Sequence, residues 1–216
     1  GDRVAGAHVQ LSCFPSSGGQ SRWLLDVFHQ AAGPLANRVG WELGSEFEAS
    51  RVAGSVSLDI PDDAAEPVRG RMQFVLDDWP KTAPAGATLL LGSTLSLLSN
   101  LVSAADGSGW ELPRVVLTMP VFELAGKGHI ELGEHSHFSL EAKGERTCHQ
   151  LRALLPPSQE RERVDQFLNR RQGHAAQAAL ADRVRLGVRW DSAAESALRP
   201  QWQFESACGL EAMLEH

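Results

Sequence analysis

Several kinds of residue and motif are missing from this 216-residue sequence, and their absence narrows the classes of protein to consider. The chain has no tyrosine, only three cysteines, and a net charge of −7. A general nucleic-acid binder needs a basic face to release phosphate counterions, so we expect no nucleic-acid partner. No run of about 18 apolar residues occurs, so no segment is predicted to span a membrane.

Catalytic motifs are missing too. The sequence has no G-x-S-x-G, no G-x-G-x-x-G, no P-loop and no C-x-x-C pair. His129, His135 and His137 are close in sequence, and the last two would share one strand face, as two zinc ligands could. No third ligand stands at a preferred spacing, so we interpret them as solvated imidazoles of a polar hairpin. The sequence predicts a non-catalytic protein without metal or cofactor; a hydrolase with an unrecognised site is the alternative.

Alternating apolar and polar residues recur over most of the chain. In Arg51–Ile60, for example, Val52, Val56, Leu58 and Ile60 fall on one side of an extended backbone. A period of two is typical of antiparallel strands with one apolar face. The same pattern predicts strands over Val4–Phe14, Trp41–Ser50, Val68–Asp77, Arg114–Pro120, Val121–Leu132, Phe138–Gly144, Arg183–Asp191 and Pro200–Ala207.

Four segments have helical signals. Thr88–Ala105 is rich in leucine and carries no charged residue. An uncharged helix of that length is either buried in a core or lies along an apolar groove. Cys148–Leu155 is predicted as a short helix that begins at or just before Thr147. The other two predicted helices are Gln20–Ala32 and the first half of Glu160–Ala181.

Together these elements predict a mainly antiparallel β fold (α+β), with a few helices packed on one face of a curved sheet. We divide the chain into an antiparallel β domain, residues 1–157, which includes the apolar helix 88–105, and a C-terminal part, residues 158–213. The second part is a helix and a strand pair that we expect to pack on the same sheet. Residues 214–216 are interpreted as the remnant of a tag, and we expect an anchor or export signal to have been removed before Gly1.

The leucine-rich segment also predicts where a ligand could bind. Its apolar residues are expected to pack against those of the predicted strands, either as a closed core or as the wall of a groove that holds an acyl chain. The candidate groove residues are Leu90, Leu91, Leu95, Leu98, Leu101, Phe74, Leu117, Phe122 and Leu124.

Two of the three cysteines stand at opposite ends of the C-terminal part. Cys148 begins the predicted short helix, and Cys208 comes after the last predicted strand. A bond between them would tie that strand to the body and indicate an oxidising compartment. The alternative is three buried free thiols in a cytoplasmic protein. We predict the Cys148–Cys208 disulfide, with Cys13 free.

The order of elements over about residues 51–208 resembles that of AsmA-like envelope proteins of Gram-negative bacteria. The similar segments are an apolar strand with a G-x-G at Gly126–Gly128, the strand Phe138–Gly144, and the cysteine with its short helix at Thr147–Pro157. The strands Val184–Ser192 and Trp202–Cys208 resemble a terminal strand pair that ends near a second cysteine.

This resemblance implies a protein of the periplasm or one anchored in the inner membrane, with a bent sheet whose apolar face holds lipid or acyl chains in envelope transport or assembly. It implies no catalytic residues. The expected partners are a lipid or acyl ligand, an envelope protein, or both, close to a membrane. The alternative function is a structural module of an envelope or secretion assembly that docks through its apolar helix.

Overall fold

The structure is a computed structural model of the chain. It describes residues 8–15, 20–38, 43, 47, 49–78, 92–131, 137–171, 183–192, 200–205 and 208. The predicted antiparallel fold is confirmed: within these residues ten strands form one sheet in which every strand pairs with its neighbours in sequence. The strands are β1 (His8–Pro15), β2 (Gln20–Ala31), β3 (Arg51–Pro61), β4 (Arg69–Asp77), β5 (Thr94–Ser103), β6 (Gly109–Thr118), β7 (Glu123–Glu131), β8 (His137–Thr147), β9 (Arg183–Asp191) and β10 (Pro200–Glu205).

Successive side chains of a strand point to opposite faces of the sheet, so the register fixes two faces. We call inner the face that carries Leu117, Leu124 and Leu186, and outer the face that carries Lys127 and Arg189. The sheet is open and not strongly curled, so the strong curvature that we predicted is not found. It continues through the β8–β9 pair, so it spans both the β domain and the C-terminal part that we predicted.

The hydrophobic core lies between the inner face and two of the helices. These are α2 (Cys148–Leu154) and α3 (Gln159–Arg171); α1 (Ala32–Arg38) comes directly after β2. Leu151 of α2 and Val164 of α3 are fully buried in the same apolar cluster as the inner-face residues of β6–β9. The helices therefore cover the C-terminal strands of the sheet. The short helix predicted at Cys148 and the helical first half of Glu160–Ala181 are both confirmed.

The helix predicted over Thr88–Ala105 is wrong where the structure describes that segment. Thr94–Ser103 is strand β5, in the middle of the sheet between β4 and β6. Leu95 and Leu101 point inward, whereas Leu98 points outward, opposite Gln73 of β4 and Val116 of β6. Apolar residues on both faces hide the period of two and leave a spacing of three that is typical of a helix.

The same cause makes the prediction of a helix over Gln20–Ala32 wrong. This segment is strand β2, which ends at Ala31. Trp23, Leu25 and Val27 lie on the inner face, while Leu24 and Phe28 lie on the outer face. Apolar residues occur on both sides of the strand, so the sequence shows no clean alternation.

Residues 104–108 form the turn between β5 and β6. Asp106 accepts a hydrogen bond from the backbone N–H of Ser108 at 2.9 Å. Gly107 has φ = +72°, a left-handed conformation that glycine adopts without steric cost. The chain therefore reverses its direction here, between two antiparallel strands. Most of the strand predicted over Trp41–Ser50 lies outside the described residues.

Candidate functional site

The candidate groove residues fall into three groups. Leu95, Leu101, Leu117 and Leu124 lie on the inner face and are buried, as is Phe122 in the β6–β7 connection. Phe74 is half-buried on the inner face of β4, and Leu98 lies on the outer face of β5. Leu90 and Leu91 lie outside the described residues. The central strands therefore form a closed core, and an accessible apolar surface has to be sought elsewhere on the inner face.

Such a surface lies on the N-terminal strands. We call strands β1–β4 the open half and strands β6–β10 the covered half, with β5 between them. At the outermost strand, Val9 and Leu11 are 41% and 61% exposed, whereas Leu124 on the same face of the covered half is fully buried. The open apolar surface consists of the inner-face residues Val9, Leu11, Trp23, Leu25, Val56, Leu58 and Ile60, none of which is fully buried.

Rows of apolar residues run across the strands of this surface. Leu11 stands opposite Leu25, which stands opposite Val56 and then Met72. Neighbouring strands lie about 4.8 Å apart, so this row covers roughly 14 Å from β1 to β4. Directly opposite side chains are in contact distance on the same face. The residues therefore form one continuous apolar area.

Two glycines flatten this area. A side chain at Gly54 of β3 would collide with the ring of Phe74, and one at Gly70 of β4 would collide with a methyl group of Leu58. The larger side chains lie over their glycine neighbours and fill the space that a Cβ would take. The surface is consequently shallow, without a deep pocket among the described residues.

Charge is distributed very unevenly between the two faces of the open half. The inner-face positions that pair in register on β1–β4 carry no Asp, Glu, Lys or Arg. The outer face carries Arg22, Asp26, Asp59, Arg69 and Arg71. The charged outer face is well solvated by water. The inner face exposes hydrocarbon and has no charged side chain at the paired positions of β1–β4.

On the outer face, Arg22 of β2 pairs with Asp59 of β3. The guanidinium donates two hydrogen bonds to the carboxylate, with Nε–Oδ1 at 2.7 Å and Nη2–Oδ2 at 3.2 Å. These hydrogen bonds hold the pKa of the Asp59 carboxyl below its ordinary value. The two-pronged geometry is favourable for a guanidinium and a carboxylate, and here it joins two adjacent strands.

The histidines considered as metal ligands make pairwise contacts with acids. On the outer face, His129 Nδ1 lies 2.9 Å from Glu111 Oε1, and His137 Nε2 lies 2.9 Å from Asp191 Oδ1. His135 lies outside the described residues. Within the described ranges, no group of three or more His, Cys, Asp or Glu side chains is placed to hold a metal ion.

The predicted disulfide between Cys148 and Cys208 is confirmed, and Cys13 is free and exposed. The Cα atoms of the bonded pair lie 5.7 Å apart, within the usual range. Cys148 begins α2, where the side chain of Thr147 accepts a hydrogen bond from the backbone N–H of Gln150. The bond and this helix cap both stabilise the covered half.

Sequence reasoning missed the open apolar surface because it assigned β2 to a helix. A signal was present: Val9, Leu11, Leu25 and Val27 each alternate with a more polar or outward-facing neighbour, and β1 contains no charged residue apart from a possible charge on His8. Two successive strands at the edge of a sheet whose inner-face positions carry no charge indicate a surface that something else has to cover.

The docking helix that we considered for an interaction module has no counterpart in residues 94–103, which form the central strand β5. No helix among the described residues is long and apolar enough to cross a membrane. The chain matches no family model, no curated protein and no solved structure.

Proposed function

We propose that this chain is a non-catalytic envelope protein that binds lipid or acyl chains on its open apolar surface. The observation that carries the proposal is the contrast along one face of one sheet. Over β6–β9 the inner face is largely buried together with α2 and α3, whereas over the open half it exposes Leu11 and half-exposes Trp23 and Leu25. A contiguous exposed apolar area on a folded domain marks a surface that binds an apolar partner.

The chemistry of this surface favours an acyl chain over a polar ligand. The surface offers side-chain hydrocarbon and no charged group in the registered positions of β1–β4. Burying an acyl chain there stabilises the complex by roughly 25 cal/mol per Å² of apolar area removed from water. Charged side chains on the outer face, such as Arg22 and Asp59, keep the opposite side of the sheet in water.

The Cys148–Cys208 disulfide supports a location in the periplasm, whether free or tethered to the inner membrane. Disulfides persist in oxidising compartments and are rare in the cytosol. The AsmA-like resemblance of the strand order points to the same compartment and to a role in envelope transport or assembly. An envelope protein partner remains part of this proposal.

The binding test uses two adjacent residues of β2 that point to opposite faces. Leu25 lies on the inner face and Leu24 on the outer face, and both are half-buried. With a fluorescent fatty acid as probe, Leu25→Glu should weaken binding at least about tenfold, because it places a charge among the apolar rows. Leu24→Glu makes the same chemical change on the other face and should leave binding unaltered.

Native mass spectrometry of freshly purified protein gives a second, independent readout. We expect acyl species to copurify with the wild type and with Leu24→Glu, and to be lost from Leu25→Glu. Absence of any bound acyl species, together with no measurable affinity of the wild type for the fluorescent probe, would contradict the lipid-binding function.

A further inference from the structure

The two edges of the sheet differ in how well they are protected from pairing with another strand. β10 is six residues long, and its first residue is Pro200, which has no backbone N–H to donate. β1 has eight residues, and its only proline is the last one, Pro15. Natural sheets protect their edges with charges, prolines or short strands, and β1 uses none of these devices along His8–Phe14.

The edge strand β1 also exposes apolar side chains on both faces. Val9 and Leu11 are exposed on the inner face, and Phe14 is 53% exposed on the outer face. Within the described residues β1 pairs with β2 alone. In an antiparallel ladder half of a strand's backbone groups point to its one partner, so the others on β1 point away from the sheet.

We propose that β1 is a dimerisation edge, at which a second copy of this chain adds its own β1 in antiparallel orientation. Pairing centred on Leu11 sets Leu11 opposite its equivalent in the second copy, and Val9 opposite the second copy's Cys13. Residues that face each other in this register have the same sheet face, as a two-fold axis normal to the sheet requires. The product is one continuous twenty-stranded sheet.

One β1 strand can pair with a second β1 strand without bringing like charges together. We therefore infer that the strand added at this edge belongs to a second copy of the chain. The protein has a net charge of −7, so like charges oppose the close approach of two copies at an acidic surface. Positions 9–15 carry no acidic or basic side chain, so the antiparallel pair brings no like charges together. Across the new pair, the row Leu25, Leu11, Leu11 and Leu25 from the two copies would be entirely apolar.

This interface goes beyond the proposed lipid function and does not depend on it. It would make the open apolar surfaces of two copies continuous, but the dimer needs no bound acyl chain. Its test therefore measures mass alone, on protein stripped of lipid, while the acyl-binding test uses Leu25, a residue of β2. Either proposal can fail without the other.

The experiment is analytical ultracentrifugation of wild type, Leu11→Lys and Leu11→Glu over a range of concentrations. The wild type should sediment as a dimer with twice the 23.4 kDa chain mass. Each charged variant should be a monomer, because position 11 meets its own equivalent and like charges then face each other. An equimolar mixture of the two variants should restore the dimer, since opposite charges then meet.

Gln203→Lys on β10 is the matched control, since Gln203 is exposed on the other edge of the sheet. It should leave the dimer intact, and far-ultraviolet circular dichroism should show that all variants are folded. A wild type that remains monomeric at roughly 1 mM would overturn the proposal. So would a dimer that survives Leu11→Lys, one that Gln203→Lys dissociates, or a mixture of the two Leu11 variants that stays monomeric.

Discussion

The open and covered halves are built from the same kind of strand, yet they end in different physical states. Inner-face leucines occur in both, but Leu124 in the covered half is fully buried and Leu11 in the open half is 61% exposed. Much of the difference arises from the elements that lie between β8 and β9 in sequence. β8 leads into α2 and α3, whose Leu151 and Val164 close over the inner face. In the part of the chain that the structure describes, no equivalent helix pair covers β1–β3.

This comparison assigns stability to one half and binding to the other. Buried apolar area and a cross-link concentrate in the covered half, where the sheet, two helices and the disulfide meet. The open half retains strand pairing and the Arg22–Asp59 pair, but much of its hydrocarbon stays in contact with water. A protein that must present an apolar surface without unfolding can draw its stability from such a separate region.

Removing the disulfide should have the largest effect on the difference in stability between the covered half and the open half. Cys148 and Cys208 are 60 residues apart, and a closed loop of that length stabilises by about 4 kcal/mol in the chain-entropy treatment. We expect Cys148→Ser/Cys208→Ser to lower the free energy of unfolding in urea by about that amount. Cys13→Ser is the matched control and should change it little, because Cys13 is exposed and unpaired. Equal losses in the two variants would contradict the assigned role of the cross-link.

A pair of leucine truncations on the inner face tests the contrast directly. Leu124→Ala should lower the free energy of unfolding by about 3 kcal/mol, because it leaves a cavity in a fully enclosed site. Leu58→Ala removes the same atoms from a half-buried position of β3 and should cost about 1 kcal/mol or less. Urea denaturation of both variants measures the difference. If Leu58→Ala cost as much as Leu124→Ala, the open half would be a closed core after all.

The cap of α2 should contribute a smaller, local effect. The side-chain oxygen of Thr147 accepts a hydrogen bond from the backbone N–H of Gln150 at 3.2 Å, and the side-chain oxygen of Gln150 accepts one from the backbone N–H of Thr147 at 3.0 Å. Thr147→Ala should therefore lower the free energy of unfolding by about 1 kcal/mol. Ser158→Ala, at the start of α3, should cost less, because its contact with the N–H of Arg161 is 3.4 Å long.

Hydrogen exchange shows which strands lose stability when the cap of α2 is removed. Thr147→Ala should speed amide exchange in β8 and β9, beside α2, and leave β2 and β3 unaltered. A uniform increase over all strands would mean that the two halves unfold as one unit and that the contrast between them is only one of exposure.

How well a strand can be predicted from the sequence depends on whether one or both of its sides are apolar. β3, β4, β8 and β9 alternate clearly, since most of their outer positions are polar or charged, and the sequence predicts each of them within a few residues. β2 and β5 carry apolar residues on both faces, and their patterns predict helices. For β5, Leu95, Leu98 and Leu101 stand three apart only because Leu98 points to the other face.

The candidate site is harder to predict than the fold. The groove residues stand out by hydrophobicity, and hydrophobicity alone does not separate an enclosed core from an exposed surface. Whether an apolar face is covered depends on contacts between residues distant in sequence, such as Leu151 against the sheet. The disulfide is predictable because two cysteines bracket the C-terminal elements, so few pairings are possible.

The smallest effect is expected from removing one of two ion pairs on the outer face, one in each half of the sheet. Asp59 in the open half is hydrogen-bonded by Arg22 across two strands, while Glu141 in the covered half is hydrogen-bonded by Lys143 of its own strand. Each hydrogen bond lowers the pKa of its carboxyl below the ordinary value. We expect Arg22→Gln to raise the Asp59 pKa, and Lys143→Gln to raise that of Glu141, in carbon-detected NMR titrations.

The sign of the linked stability is set by the direction of these shifts. A carboxyl whose folded pKa lies below its unfolded pKa stabilises the fold above the unfolded value, and that contribution is lost as the pH falls through the folded value. Both variants should therefore show a shallower loss of stability in acid than the wild type. Only Arg22→Gln should also speed amide exchange between β2 and β3 at neutral pH. The Arg22–Asp59 pair joins two strands, whereas the Lys143–Glu141 pair lies within one strand. Equal exchange in the two variants would show that the cross-strand pair adds nothing to the cohesion of the open half.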